Sequence, residues 1–310
     1  MPKYTKALVT GGAGFIGSHI ADALVRRRIK TYVVDDLSSG SVKHVNPNAH
    51  FTKLSIVSPQ FGEYVKRLKP DVVFHCAAQV NLRTSLEDPR DDALRNILGT
   101  VQLVDAARAC GIKKIILCSS AGVYPPTNRF PISEKLVASP LSPYGISKRA
   151  AEMYLAYAYE VLGIPGVSLR FANVYGPRQG TRGEGGVIAV FAKKMAQGEP
   201  VTVFGNGKNT RDFVYVDDVA RAAILAMNRS VVGEFNIGTG RETDVNTLYK
   251  KIAKLTGYKL PARTAPLPAF DVARNALDPR KARTYLGWEP RVKLDEGLAK
   301  TVKWFASPKS

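Results

Sequence analysis

The chain has 310 residues, 45% of them hydrophobic, and a formal net charge of +19. This composition is ordinary for a globular enzyme, and no apolar run approaches the roughly 18 residues of a membrane span, so we expect a soluble cytoplasmic protein with no membrane partner. The charge favours anionic partners without identifying the anion.

Short β-rich runs alternate with helical patterns through the first half of the chain. The predicted strands cover residues 7–10, 31–35, 50–54, 71–77, 113–120 and 165–172. Between them, apolar residues recur at i, i+3 and i+4, as in IGSHIADALV and NILGTVQLVDAARA. The alternation predicts an α/β fold with a Rossmann-type, doubly wound parallel sheet, because helices then cover both faces of continuous apolar strands.

The pattern changes after residue 175. Glycine-rich and charged stretches, GPRQGTRGEGG and FGNGKNTRD, separate short helices and strands, and prolines cluster in PARTAPLPAF. We therefore predict a Rossmann domain over residues 1–175 and a smaller C-terminal lobe over residues 176–310, with some segments of the lobe returning to the first domain.

Three glycines, Gly11, Gly14 and Gly17, lie where the first strand is followed by the first helix, in TGGAGFIGS. This spacing allows a tight turn, lets backbone approach a pyrophosphate, and lets the helix pack against the strand. The next predicted strand ends at Asp35, where a carboxylate can accept hydrogen bonds from the adenosine ribose. No arginine follows at once to bind a 2′-phosphate, so the pattern favours NAD over NADP.

A second motif points to proton transfer. Tyr144 and Lys148 share one face of a predicted helix that begins SPYGISK, and Ser119 and Ser120 end the strand KKIILCSS. A tyrosine acts as a base at neutral pH only if its pKa of about 10 falls by about three, which corresponds to about 4 kcal/mol. One cation at about 4 Å and an effective dielectric of about 20 contributes about that much. We therefore expect Lys148, helped by an oxidised nicotinamide, to lower the pKa of Tyr144.

Two conspicuous features have ordinary structural interpretations. Arg26–Arg28 follow a helical pattern, and cations at a helix C-terminus complement the dipole, which favours a solvated helix end over a nucleic-acid patch. Cys76, Cys110 and Cys118 lie in apolar segments without CxxC spacing, so we predict buried side chains and no metal site.

Taken together, the motifs resemble the extended short-chain dehydrogenases/reductases, in particular the NAD-dependent nucleotide-sugar epimerases of the UDP-glucose 4-epimerase type. The resemblance covers nearly the whole chain: TGGAGFIGSH, VVDDLSSG, HCAAQ, DPRDDALRNILGT, SSAGVY, SPYGISK, RFANVYGPRQ, TRDFVYVDDVA and LGWEP. It implies inversion at C4 of a UDP-sugar through a transient 4-keto intermediate, with NAD regenerated in each cycle.

The resemblance also implies roles for individual residues. Tyr144 would take the proton of the sugar 4-hydroxyl, Lys148 would lower the pKa of Tyr144 and hold the nicotinamide ribose, and Ser120 would polarise the 4-oxygen. The positions that match cofactor contacts are Gly11, Gly14, Phe15, Ile16, Gly17, Asp35, Ser55, Ala77, Ala78, Asn96, Tyr144 and Lys148. Those that match substrate contacts are Ser120, Asn173, Arg211, Arg274 and Asn275, mainly on the lobe that would bind the nucleotide sugar.

Several departures leave alternatives open. Ser55 replaces the usual adenine-binding Asp, Pro125 replaces the usual Gly after the strand-end motif, and PARTAPLPAFDV lacks a clean match to RPGDV. A mid-sized residue at Asn275 leaves both plain hexoses and N-acetylhexosamines as substrates. No acid follows Ser120, which disfavours dehydration and decarboxylation.

The alternatives are an epimerase or dehydratase acting on a UDP-uronate, a GDP-sugar or a dTDP-sugar, or a non-catalytic RNA-binding relative. An intact set of Ser120, Tyr144 and Lys148 disfavours nucleic acid as the partner, because a binding module needs no tuned phenol. Members of the family often dimerise, and the predicted helices at 88–109 and 143–162 are the candidate homodimer interface.

Overall fold

The computed structural model describes residues 4–181, 185–267 and 272–307. Residues 268–271, within the stretch PARTAPLPAFDV, lie outside the described residues. The strands are β1 (Lys6–Thr10), β2 (Lys30–Asp35), β3 (His50–Lys53), β4 (Val72–His75), β5 (Lys114–Ser120), β6 (Gly166–Phe171), β7 (Asn173–Tyr175), β8 (Thr202–Phe204), β9 (Thr210–Arg211), β10 (Phe213–Tyr215), β11 (Gly233–Ile237), β12 (Thr243–Asp244) and β13 (Arg263–Ala265). The helices are α1 (Phe15–Arg26), α2 (Pro59–Leu68), α3 (Leu82–Glu87), α4 (Pro89–Ala93), α5 (Gly99–Cys110), α6 (Pro143–Glu160), α7 (Val187–Ala196), α8 (Val216–Asn228), α9 (Val245–Thr256) and α10 (Leu294–Phe305).

A seven-stranded parallel sheet forms the centre of the fold, in the order β11-β6-β5-β4-β1-β2-β3. The Rossmann-type prediction is confirmed. The chain moves outward in both directions from β1, so the carboxyl ends of β1 and β4 lie side by side where the strand order reverses. Open α/β sheets bind ligands at this edge.

Each face of the sheet has its own apolar core, as continuous apolar strands require. Leu8, Val73 and Ile115 belong to a core shared with α2, α5 and α6. Their chain neighbours Val9, Phe74 and Ile116 belong to a second core shared with α1 and α8. The residues alternate between faces because successive side chains of a strand point in opposite directions.

The second half of the chain contributes to both parts of the molecule. Strand β11 extends the main sheet beside β6, and α8 packs on α1. Helices α7, α9 and α10 enclose a third apolar core with β8 and β10. No helix within the described residues is long and apolar enough to cross a membrane.

Two local predictions differ in outcome. Helix α1 ends at Arg26, and the Arg27 side chain donates to the Ala23 carbonyl at 2.8 Å, so the interpretation of this arginine run as a helix end is confirmed. The strand predicted over 71–77 instead ends at His75. Beyond His75 the chain leaves the hydrogen-bonded ladder of the sheet, and Cys76 and Ala77 lie against the glycine turn.

Candidate active site

The glycine turn joins the end of β1 to the start of α1. Gly11 has a φ of +65°, and a Cβ on this residue would lie 2.6 Å from the backbone nitrogen of Ala77. A Cβ on Gly17 would overlap the carbonyl oxygen of Gly11. Only glycine fits at both positions, because any side chain would meet fixed backbone atoms.

The first turn of α1 is arranged to receive an anion. Gly14 is its N-cap residue, no side chain caps the helix, and the first turn holds no acidic residue. The amides of Phe15 and Ile16 therefore lie at the positive end of the helix dipole. Ala77, which follows β4 and precedes Ala78, borders the turn on its other side. This cradle fits the pyrophosphate of a dinucleotide.

Asp35 ends β2 and holds the surrounding loops in place. Its carboxylate accepts hydrogen bonds from the backbone N–H groups of Ala13 at 3.0 Å and Leu37 at 2.8 Å. Burial raises the pKa of Asp35, and these backbone hydrogen bonds oppose the increase. The N–H of Leu54 donates to the Asp35 carbonyl at 3.1 Å, which places Ser55 beside the end of β2. The two predicted adenosine-side residues are therefore neighbours.

Asn96 is buried and engaged with other protein groups. Its side-chain oxygen accepts from the Gln79 N–H at 2.8 Å, and its amide donates to the Gln79 carbonyl at 2.9 Å and to the Ser147 hydroxyl at 3.0 Å. Asn96 lies in a π-helical stretch, Leu94–Leu98, inside what the sequence predicted as one continuous helix. Such stretches often occur at functional sites. Here the stretch ties the loop after β4 to α6.

The catalytic candidates meet at the carboxyl edge of the sheet. Helix α6 begins as predicted, with Ser142 as N-cap accepting from the Gly145 N–H and with Pro143 in its first turn. A Cβ on Gly122 would lie 3.4 Å from both the Ser120 Oγ and the Tyr144 ring atom Cε1, so these two side chains approach one point of backbone. Lys148 follows one turn later on the face of α6 that packs against β5.

Burial dominates the electrostatics of the catalytic candidates in the chain alone. Burial raises the pKa of Tyr144, and a hydrogen bond with Ser120 opposes that increase. The Lys148 ammonium donates to the Cys118 carbonyl at 3.0 Å, and burial lowers its pKa. The expectation that Lys148 and an oxidised nicotinamide together lower the pKa of Tyr144 stays a prediction. Desolvation disfavours the phenolate, and the ammonium of Lys148 is directed at the strand.

The predicted substrate residues lie together at the same edge. Because Ser120 pairs with Phe171 across β5 and β6, Asn173 lies just beyond the level of Ser120. The Asn173 N–H donates to the Asp212 carbonyl at 2.9 Å, which brings Arg211 close to this strand end. The Arg211 guanidinium donates to the Thr210 carbonyl at 2.8 Å.

The segment that carries Arg274 and Asn275 joins this group through the Thr210 N–H, which donates to the Ala273 carbonyl at 2.9 Å. Arg274 is half exposed and forms a two-point ion pair with Glu242. The Asn275 Oδ1 is buried and has no hydrogen-bond partner among the described residues. Buried acceptor atoms in proteins almost always have a hydrogen-bond donor as a partner.

Two residues of the site, Asp212 and Glu152, were not predicted from the sequence. Asp212 is buried and accepts hydrogen bonds from the backbone N–H groups of Thr239, Gly240 and Leu277. These hydrogen bonds fix the chain immediately after Arg211. A single aspartate beside an arginine gives no sequence signal for this role. Glu152 did carry a signal, since it lies four residues after Lys148 on the same helical face.

The prediction of buried cysteine side chains holds fully only for Cys118. Cys118 is buried, Cys76 and Cys110 are half-buried, and the sulfur atoms of Cys76 and Cys118 lie 3.2 Å apart. Across the parts of the chain that the structure describes, no group of three His, Cys, Asp or Glu side chains is placed to hold a metal ion.

Comparison with known proteins agrees with this geometry. The sequence profile of the NAD dependent epimerase/dehydratase family matches residues 7–238, which include the glycine turn, Asp35 and the catalytic candidates. The chain belongs to this family. A relative from Mycolicibacterium smegmatis, named UDP-glucose 4-epimerase, is 40% identical over 307 residues, covering 97% of this chain and 98% of its own. The cofactor of the family is NAD.

Two solved structures of the family resemble the fold over almost its full length. The UDP-glucose 4-epimerase of Thermotoga maritima, solved with UDP-glucose, superposes with a TM-score of 0.93 at 45% identity, covering 96% of this chain and 98% of its own. The UDP-glucose 4-epimerase of Thermus thermophilus, solved with NAD, superposes with a TM-score of 0.91 at 37% identity, covering 97% of this chain and 99% of its own.

Proposed function

We propose that this protein is an NAD-dependent epimerase that inverts C4 of a UDP-sugar, either UDP-glucose/UDP-galactose or the N-acetyl forms. The observation that carries the proposal is the convergence of Ser120 and Tyr144 on one point of backbone, at the sheet edge where the glycine turn offers an anion cradle. The choice of UDP as the nucleotide and of the sugar in this proposal rests on the relatives named above, which are UDP-glucose 4-epimerases.

In the proposed mechanism Tyr144 removes the proton of the sugar 4-hydroxyl and later returns it. Ser120, hydrogen-bonded with Tyr144, holds the same oxygen. When bound at the glycine turn, NAD would supply a reversible hydride acceptor for C4, which allows inversion through a transient 4-keto sugar. Lys148 lies one helical turn from Tyr144, where it would hold the nicotinamide ribose.

Residues on both halves of the chain would hold the ligands. The glycine turn, Asp35 and Ser55 would bind the dinucleotide, so we assign cofactor binding and catalysis to residues 1–175. Residues 176–310 would mainly hold the nucleotide sugar, with Arg211 and Arg274 on its pyrophosphate. Glu242, now paired with Arg274, would then share or release that arginine. The buried Oδ1 of Asn275 would accept a hydrogen bond from the sugar.

A panel of nucleotide sugars tests the proposal. We expect the purified protein with NAD to convert UDP-glucose or UDP-N-acetylglucosamine to its C4 epimer, without net formation of NADH, as followed by NMR of the product. Turnover confined to a UDP-uronate, a GDP-sugar or a dTDP-sugar would contradict the substrate assignment. Salt-sensitive RNA binding without turnover would contradict the enzymatic assignment.

We also propose a cytoplasmic homodimer, in which the exposed apolar face of α6 and the adjoining π-helical stretch pack against a second copy. Leu98, Ile146 and Met153 are 55%, 52% and 59% exposed. Ile146 and Met153 are seven residues apart, so they lie on one helical face. A large exposed apolar patch of this kind marks an interaction surface.

A charge on this face should prevent dimer formation. We expect Met153→Arg to be monomeric in multi-angle light scattering while the wild-type protein has the mass of two chains, since a buried unpaired guanidinium is costly. Leu255→Arg, at a position that is 44% exposed on α9, a helix that packs against α7 and α10, is the matched control and should remain dimeric. A wild-type monomer, or a dimeric Met153→Arg variant, would contradict this interface.

A further inference from the structure

Helix α6 presents three functional side chains at successive turns of one face. Tyr144, Lys148 and Glu152 are spaced by four residues, so all three face the sheet. Glu152 is 2% exposed, although glutamate is rarely buried unless it is paired. Neither the dinucleotide cradle nor the substrate residues involve this carboxylate.

The Glu152 carboxylate connects α6 to two strands of the sheet. It accepts a hydrogen bond from the Ser119 hydroxyl, at the end of β5, at 2.7 Å. It also accepts two parallel hydrogen bonds from Arg170 of β6, each at 2.8 Å. Arg170 is itself only 3% exposed. Two-point pairing of this kind fixes orientation as well as distance.

Arg170 extends these contacts to the segment that follows Ser120. Its guanidinium donates to the Tyr124 hydroxyl at 3.0 Å, and that hydroxyl donates to Asn236 of β11 at 2.8 Å. Asn236 in turn donates to the Ile132 carbonyl at 2.9 Å. Ser119, the second-last residue of β5, and Tyr124, which follows the turn after β5, are thus attached to one buried ion pair.

We propose that Glu152 is a positioning residue for catalysis, which holds Ser119, and through it the neighbouring Ser120, at a fixed place relative to Tyr144 on the same helix. The inference rests on the proposed function. Ser119 is the residue before Ser120, so the bond between Ser119 and Glu152 ties the strand that carries one catalytic group to the helix that carries the other. A displacement of about 1 Å in such a pair lowers a rate by up to about a hundredfold.

Removal of the Ser119 hydroxyl tests the role. We expect Ser119→Ala to lower kcat for the UDP-sugar about tenfold, while KM and bound NAD stay within about twofold of the wild-type values. Ser119→Thr, which keeps a hydroxyl, should restore most of kcat. Ser168→Ala is the matched control, because Ser168 is a buried serine of β6 that pairs with Leu117, two residues before Ser119. It should have wild-type kcat.

A second variant, Glu152→Gln, distinguishes a positioning role from a general loss of folding. Glu152→Gln keeps the shape of the side chain but loses its charge, and it should lower kcat without changing KM. The double variant Ser119→Ala/Glu152→Gln should lose little more than the stronger single variant, because Glu152→Gln weakens the contact that Ser119→Ala removes. Equal kcat loss with Ser168→Ala, additive losses in the double variant, or an unchanged kcat in Ser119→Ala would overturn the inference.

The wild-type assay distinguishes the two proposals. An active wild-type enzyme whose Ser119→Ala variant keeps full kcat refutes the positioning role alone. A folded wild-type protein that binds NAD and turns over no UDP-sugar refutes the proposed function, and the role of Glu152 is refuted with it.

Discussion

Replacing Tyr144 with phenylalanine is expected to lower kcat about a thousandfold while the protein keeps its NAD. Proton transfer by a positioned side chain typically contributes about 10² to 10⁴ in rate, and Tyr144 is the group hydrogen-bonded to Ser120 at the sheet edge. The change removes one oxygen and leaves the ring in place, so the cofactor cradle at Gly11 is untouched. Turnover and released NAD are measured on the same preparation.

The direction of the Tyr144 pKa adds a pH dependence. The phenolate is the base, so kcat should rise with pH up to the pKa of Tyr144 and level off above it. Because burial raises that pKa and the hydrogen bond with Ser120 lowers it, Ser120→Ala should move the rising limb to higher pH. Tyr159→Phe, at a position on α6 that is 40% exposed, is the control. Full activity of Tyr144→Phe would remove this residue from the mechanism.

Asp35→Ala is expected to weaken NAD binding about tenfold to a hundredfold. A hydrogen bond to a charged group contributes about 1.5 to 3 kcal/mol, and tenfold in affinity corresponds to about 1.4 kcal/mol. The carboxylate also accepts backbone hydrogen bonds from Ala13 and Leu37, so stability should fall as well, by about 1 to 3 kcal/mol. Isothermal titration with NAD and urea unfolding measure the two effects separately.

The neighbouring carboxylate provides the control for Asp35. Asp36 pairs with Arg95 at 3.3 Å, on the adjacent surface of the loop. Asp36→Ala should therefore bind NAD within about threefold of the wild-type affinity, since a partly exposed surface ion pair contributes about 1 kcal/mol or less. Unchanged NAD affinity in Asp35→Ala, or an equal loss in both variants, would contradict the assignment of Asp35 to the ribose.

The features that were predictable depend on short stretches of chain. The strand and helix alternation follows from apolar periodicity, and the start of α6 follows from Ser142 and Pro143, which satisfy and pre-shape a helix N-terminus. The glycine turn follows from TGGAGFIGS because only glycine tolerates the backbone of Gly11. Each of these signals acts within about one helical turn, so it can be recognised before the chain is folded.

The features that were not predictable depend on partners far apart in sequence. The sequence predicted that some C-terminal segments return to the first domain, but not that β11 pairs with β6. It also gave no sign that Arg274 pairs with Glu242 or that Glu152 binds Arg170. The spacing of Tyr144 and Lys148 places both on one face of α6, but it does not say where the ammonium points. In the folded chain it donates to Cys118 of β5, 30 residues away.

The amino-acid sequence by itself therefore determined the type of fold, the glycine turn and the shared helical face of Tyr144 and Lys148, because these follow from local backbone geometry and periodicity. Only the tertiary structure decided the direction of the Tyr144 pKa, the partner of Lys148 and the buried ion pair behind Ser120. The physical reason is that desolvation and hydrogen bonding depend on which distant groups surround a side chain, and packing of the whole chain sets those surroundings.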